Sequence, residues 1–220
     1  MDRRDPKEIV RAGYNRVAEA YRVTCPGDGS NGGPDMRVWV DAALAEIGTN
    51  RDDNLRIVEL GCGDGYPIAG HLPDSCRYTG YDISPAQITR AAEQIPGRQF
   101  FCADMTEVAL PEGSVDLVIA FYAIIHLPLD EQSALFRRIA AWLRPGGLFL
   151  ATLGTSAWTG SEEDWLDVPD ATMYWSHTDE TTYRAWIEEA GLIVVATSFV
   201  PEGSGGHTLF RALKPTSATR

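Results

Sequence analysis

The sequence lacks any apolar run near membrane-spanning length, and Met1 to Asp5 has no apolar core of the kind a signal peptide needs. Neither a membrane protein nor a secreted one is expected. Basic residues are in deficit: 19 Lys and Arg stand against 31 Asp and Glu, for a net charge of -12. A field of that sign repels nucleic acid and anionic membrane, so neither is expected as a partner. Cysteine is scarce. Cys25, Cys62, Cys76 and Cys102 form no CxxC pair, which favours reduced thiols in a cytoplasmic protein over a disulfide or metal site. The histidines share no close spacing, so no metal is expected. There is no internal repeat.

What is present suffices for one domain. The chain has 220 residues and is 44% hydrophobic, enough for one sizeable core. Glu8 to Tyr21 carries apolar residues at helical spacing, and Val38 to Ile47 reads as a second helix. Between them Cys25 to Pro34, rich in Gly, Pro, Ser, Asn and Asp, is a loop. From Leu55 onward strands and helices alternate. Strands are expected near 55–60, 77–82, 98–102, 115–121 and 147–153, and helices near 66–72, 85–94 and 130–143. Arg144-Pro145-Gly146-Gly147 reads as the turn into the fifth strand. Such alternation implies βαβ units and a parallel sheet. The tail differs, with a helix over 178–190 and strands over 192–200 and 207–214 joined by a short Gly-rich turn. A short connection makes that last pair antiparallel. The expected fold is a doubly wound, Rossmann-like α/β sheet of seven mostly parallel strands, the last antiparallel, with N-terminal helices.

The segment Ile57-Val58-Glu59-Leu60-Gly61-Cys62-Gly63-Asp64-Gly65 places a glycine-rich loop directly after a buried strand. The next strand ends in Asp82, where one carboxylate can accept from both hydroxyls of a ribose. The glycine spacing is G-x-G-x-G and not the dinucleotide G-x-G-x-x-G. Glu59 and Asp64 add negative charge that would repel a pyrophosphate and suit an ammonium and a cationic sulfur. S-adenosylmethionine carries both, with a ribose and an adenine.

Motifs in order at Glu59–Gly65, Tyr81-Asp82-Ile83-Ser84, Cys102-Ala103-Asp104-Met105, Val115-Asp116-Leu117-Val118 and Leu143-Arg144-Pro145-Gly146-Gly147 give a resemblance. The chain resembles the class I S-adenosylmethionine-dependent methyltransferases, and among them the small enzymes that methylate small molecules. The resemblance covers about half the chain. It implies S-adenosylmethionine as cofactor, held by Glu59 at the ammonium, Gly61, Gly63 and Gly65 along the loop, and Asp82 at the ribose. Ile83, Asp104 and Met105 would meet the adenine, with Phe121 beside them. Residues 1–50 would form a helical lid, with Tyr14 and Tyr21 either packing in the core or facing the sulfonium.

Loops after the carboxyl ends of parallel strands share one rim. His126, after the fourth strand, is the candidate general base. Asp116 lies at the opposite end of that strand and reads as structural. The insert over 154–178 holds Trp158, Trp165, Tyr174 and Trp175 among polar residues, and reads as a substrate cap or a dimer contact. Tyr122, Trp158, Trp175, His177 and His207 are the candidate substrate contacts. The expected activity is methyl transfer to O, N or C of a small, aromatic or apolar acceptor, by a monomer or homodimer. A non-methylating reaction on the same fold, such as cyclisation or decarboxylation, is the alternative. A regulatory cofactor-binding module is the second.

Overall fold

A computed structural model describes residues 5–48, 54–203 and 205–216. Residues 1–4 and 49–50 of the expected lid lie outside these, as does Ser204 of the last turn. Two helices lead the chain, α1 (Pro6–Thr24) and α2 (Met36–Gly48). Then come β1 (Arg56–Leu60), α3 (Ile68–His71), β2 (Arg77–Asp82), α4 (Pro85–Gln94), β3 (Gln99–Cys102), β4 (Val115–Ala120), α5 (Leu129–Trp142) and β5 (Leu143–Gly154). A two-stranded hairpin, β6 (Trp158–Glu162) and β7 (Met173–His177), precedes α6 (Glu180–Glu189), β8 (Ile193–Glu202) and β9 (Gly205–Leu213).

Seven strands form one sheet in the order β3-β2-β1-β4-β5-β9-β8. β9 runs antiparallel to both neighbours and the pairs among β1 to β5 are parallel, as the strand pattern implies. The strand order reverses between β1 and β2 on one side and β4 on the other, which opens a crevice at their carboxyl ends.

Period-two alternation sorts the sheet's side chains to two cores. Val58, Leu60, Val118, Ala120, Phe149 and Phe210 pack with Leu135, Phe136 and Ile139 of α5 and with Tyr183 and Ile187 of α6. Ile57, Leu117, Ile119, Leu148 and Leu150 pack on the other face with Val40, Ala43 and Ile47 of α2 and with Ile68 and Ala69 of α3. β4 is buried along its whole length, as a central parallel strand should be.

Helix starts follow the local signals. Ser84 caps α4 by accepting from the Gln87 amide, with Pro85 at the first helical position, and Asp179 caps α6 through Thr182. One boundary differs from the sequence reading. β5 begins at Leu143 and absorbs Arg144 to Gly147, where its register with β4 jumps from Val115↔Leu143 to Leu117↔Leu148. Those residues bulge and pair with the far strand, since Gly146 donates to the Lys214 carbonyl. Asp116 accepts from the Arg56 amide at 2.7 Å and pairs with Arg144, so it ties strand starts together.

Helix α1 lies across the rim. Gly13 lets it do so: a Cβ there would sit 2.4 Å from the Thr172 carbonyl oxygen, just before β7. Among the described residues no helix is long and apolar enough to cross a membrane.

Candidate functional site

The loop after β1 is stitched to the end of β2. The Gly61 and Cys62 amides both donate to the Tyr81 carbonyl, at 2.7 and 3.0 Å. The Gly63 amide donates to Asp82 Oδ2 at 2.9 Å, and the Ser84 amide to Oδ1 at 2.8 Å. Asp82 is thus fixed by backbone and has no cation among these partners. Burial pushes its carboxyl up to about 6, against the lowering effect of those amides. A buried carboxylate in that state gains from further hydroxyl donors. Gly63 has φ +54, and a Cβ built on it would meet nothing within 4 Å. It borders a cleft on the rim.

That cleft is lined by Gly61, Gly63, Asp82, Ile83, Asp104, Met105, Phe121, Tyr122, Tyr14, Tyr21 and His126. Most of the residues expected at a cofactor therefore surround one space. Glu59 and Gly65 do not line it. Glu59 is the exception with a physical reason: it is buried, and its Oε2 accepts from the Tyr78 hydroxyl at 2.5 Å. Burial pushes its carboxyl up to about 8, so it is largely uncharged at neutral pH and offers little to an ammonium. Asp64 is instead ion-paired with Arg22 at 3.1 Å. The loop after β1 thus offers no unpaired anionic side chain among these two, and Asp82 at the end of β2 is the carboxyl that lines the cleft beside it. Asp104 reaches the cleft with both oxygens engaged. Lys7 Nζ lies 2.7 Å from Oδ2, and the Thr106 amide and hydroxyl each donate to Oδ1 at 2.8 Å. Burial would raise its carboxyl, but Lys7 and Thr106 hold it below the ordinary range.

A second, wider cleft adjoins the first. Tyr14, Tyr21, Tyr122 and His126 line both. Its other walls include Trp165, Trp175, Cys25, Glu202 and His207. Tyr14 sits edge-on to Tyr21 at 5.4 Å, to Trp165 at 5.5 Å and to His126 at 5.4 Å between ring centroids. Trp165 is in turn edge-on to Trp175 at 5.6 Å. Tyr122 holds φ +52, a conformation that costs a bulky residue about 1–3 kcal/mol. That backbone puts its ring edge-on to His207 at 5.1 Å, on the border of the two clefts. Trp158 and His177 line neither cleft. Trp158 is 48% exposed, and His177 Nδ1 lies 2.6 Å from the Ser156 carbonyl within the hairpin.

His126 differs from its sequence reading as a free base. Its Nδ1 lies 2.7 Å from the Tyr174 carbonyl and its Nε2 lies 3.0 Å from the Tyr14 hydroxyl. A carbonyl only accepts, so Nδ1 carries the proton and Nε2 accepts from Tyr14. Burial pushes the imidazole down to about 4, despite the carbonyl. It is neutral at physiological pH and fully used in holding Tyr14.

Lys7 carries no motif signal in the sequence. It ties the start of α1 to Asp104 and to Glu131 at 2.5 Å, while Arg22 ties its end to Asp64 and Tyr14 its middle to His126. The three tethers land on residues of the rim. Glu202 also went unassigned, although it ends β8 at the same rim, whereas Trp165 was named only as part of the aromatic insert. Among the described residues no cluster of three or more His, Cys, Asp or Glu is placed to hold a metal.

The class defined by this sheet order and crevice is matched by the comparisons. The methyltransferase domain family model matches residues 57–147. The 27-O-demethylrifamycin SV methyltransferase of Amycolatopsis mediterranei is 30% identical over 178 residues, which are 70% of this chain and 64% of that protein. The magnesium protoporphyrin IX methyltransferase of Synechocystis PCC 6803, solved with S-adenosylmethionine bound, superposes with TM-score 0.69 at 18% identity over 97% of this chain and all of that one. The cyclase SpnF superposes with TM-score 0.62, also at 18% identity, over 82% of this chain and 81% of its own. Identities this low establish the shared fold. Residues 57–147 match the methyltransferase domain family, and the fold is the one shared with S-adenosylmethionine-dependent methyltransferases. The chain spans less than two thirds of the length of the curated relatives, and under half of several.

Proposed function

We propose that this protein transfers a methyl group from S-adenosylmethionine to a small, planar, largely apolar acceptor. The observation that carries the reading is the pair of clefts meeting at Tyr14, Tyr21, Tyr122 and His126. One is lined by the residues expected at a nucleoside and the other by aromatic rings.

The residues present fit the cofactor. Asp82, buried and short of donors, would take the ribose hydroxyls. Ile83 and Met105 would flank the adenine, and Gly63 would let the backbone approach without a side chain between. S-adenosylmethionine supplies, when bound, an electrophilic methyl on a cationic sulfur. Tyr14 and Tyr21 would present ring faces to that charge. His126 keeps the Tyr14 ring in place through its hydroxyl. The protein's main contribution is alignment, which is worth several kcal/mol when two reactants are held in attack geometry.

The acceptor would lie against Trp165, Trp175 and Tyr122. Among the described residues no lysine or arginine lines that cleft, so a carboxylate or phosphate on the acceptor would find no cationic partner among them. Helices α1 and α2 would act as the lid, and residues 154–178 as the cap. The hairpin packs on α1 through Gly13, which supports a joint role. The acidic surface argues against nucleic acid as acceptor, and four free cysteines suit a reducing cytoplasm. A monomer or homodimer would suffice.

Calorimetry with S-adenosylhomocysteine and with NAD tests the first half, and tighter binding of NAD would defeat it. Incubation with methyl-labelled S-adenosylmethionine and a panel of phenols and amines tests the second. A product altered without label would select a cyclase-like or decarboxylating reaction instead.

A further inference from the structure

We propose that His207, oriented by Glu202, is the base for this reaction, and that the methylated atom is a phenol- or enol-type oxygen. The proposal rests on the methyl-transfer reading above. His207 lines the second cleft beside Tyr122, which borders both clefts. It is thus one ring away from the junction where an acceptor would meet the methyl group. Its Nδ1 lies 3.2 Å from Glu202 Oε2, an ion-pair distance, although the two are not aligned as a hydrogen bond. A modest rotation of the half-exposed carboxylate completes the bond and leaves Nε2 as the accepting nitrogen. His126, the other imidazole at the junction, has both nitrogens engaged.

The groups that face this pair come from every neighbouring element. Tyr122 follows β4 and His126 follows it, while His177 ends β7. Tyr21 and Cys25, at the end of α1, face Glu202. Burial would raise the Glu202 carboxyl, but His207 and the Tyr122 hydroxyl hold it below the ordinary range. Glu202 therefore stays anionic beside the His207 ring.

That machinery selects the acceptor atom. A neutral amine attacks through its lone pair and sheds a proton to water afterwards. A hydroxyl is a poor nucleophile until its proton leaves. An aliphatic alcohol is too weak an acid for an imidazole, whereas a phenol at about 10 is within reach. In the step, the acceptor oxygen bonds to the methyl carbon as the carbon–sulfur bond breaks. The electron pair stays on sulfur, which becomes the neutral thioether of S-adenosylhomocysteine. The hydroxyl proton goes to Nε2 of His207 and then to solvent.

The test uses 7-hydroxycoumarin and 2-naphthol as probes, with 7-aminocoumarin and 6-hydroxy-2-naphthoate as matched amine and anion. Label from S-adenosylmethionine should enter the two neutral phenols at least about tenfold faster than either control. His207→Gln should lower kcat by about 10²–10⁴-fold and abolish the acid limb of kcat against pH. S-adenosylhomocysteine affinity, measured by calorimetry, should stay within about twofold and so report intact folding. Glu202→Gln, at the end of β8, should lower kcat by about tenfold while acceptor KM stays within about twofold. Near-parental kcat with the limb retained in His207→Gln would overturn the assignment, as would preferred labelling of the amine. So would S-adenosylhomocysteine binding with no label in either phenol. Failure of the parent protein to bind S-adenosylhomocysteine would instead remove the methyl-transfer reading beneath it.

Discussion

The two clefts share four side chains but are built in opposite ways. The first is made from strand ends and the few residues after them: Gly61 and Gly63 after β1, Asp82 and Ile83 at the end of β2, Asp104 and Met105 after β3. Its geometry is set by backbone amides on Asp82 and by the Tyr81 carbonyl. The second is made from side chains of α1, the β6–β7 hairpin segment and the β8–β9 turn, which meet only in the folded protein. Its geometry is set by ring packing around Tyr14, Trp165 and Trp175. A site held by amides tolerates little change in what it binds. One held by packed rings on connecting segments can be refitted without disturbing the sheet. The difference teaches where the family's shared chemistry ends and this chain's own specificity begins.

The largest expected effect tests the first cleft. Asp82→Ala removes the acceptor for two hydroxyls, each bond worth about 1.5–3 kcal/mol before water compensates. S-adenosylhomocysteine affinity should fall by about ten- to a hundredfold in calorimetry. If the clefts are as distinct as they look, substitutions in the second should leave that affinity alone. An unchanged Kd for Asp82→Ala would place the ribose elsewhere.

Next comes the element that joins the clefts. Gly13→Ala would set a Cβ 2.4 Å from the Thr172 carbonyl oxygen, so α1 or the segment before β7 must shift. Overpacking of this kind costs about 1–3 kcal/mol, a drop of roughly 2–12 °C in Tm for a domain of this size. Both ligands should weaken together, because Tyr14 and Tyr21 ride on α1. A stability loss with both affinities intact would show that α1 serves only as a brace.

Trp175→Ala and Trp165→Ala address the second cleft alone. Each removes one ring of the packed wall, and acceptor KM should rise by about tenfold, equivalent to about 1.4 kcal/mol. Cofactor affinity should not move. A change of mass in light scattering with normal kinetics would make the insert a dimer contact and leave the acceptor cleft without its wall.

The unequal legibility of the two clefts has the same cause. Asp82 could be read because one local pattern, a strand followed by a glycine loop and then a strand ending in an acid, fixes its place on the rim. Glu59 could not, since nothing in the order of residues tells that Tyr78 of the neighbouring strand would donate to it and leave it out of the cleft. The β6–β7 hairpin was hidden because Trp158 to Glu162 is exposed or half-exposed throughout and shows no apolar alternation. His126 was found, but its role depended on Tyr14 and Tyr174, which come from distant segments. Lys7 and Glu202 were silent for that reason too: each matters only through a partner brought to it by the fold.

The smallest effect is in pH, and it separates Asp82 from Glu59. Both carboxyls are raised by burial, Asp82 to about 6 and Glu59 to about 8. A raised carboxyl contributes stability that is fully present below its unfolded value and is lost as pH rises through the folded one. The ligand-free protein should therefore lose stability between about pH 4 and 8. Only Asp82 lines the first cleft. Hydroxyls donate best to its ionised form, so ligand binding should pull its value back down. S-adenosylhomocysteine should accordingly bind more weakly as pH falls through 6, by about tenfold at pH 5 relative to pH 7.5 if only the ionised form binds. Glu59, facing Tyr78, should shift stability without touching affinity. Calorimetry at the two pH values on the parent and on Glu59→Gln checks this. An affinity independent of pH would mean that Asp82 stays neutral beside the ligand. A pH dependence lost in Glu59→Gln would return Glu59 to the cofactor, and with it the reading in which the loop after β1 binds through charge.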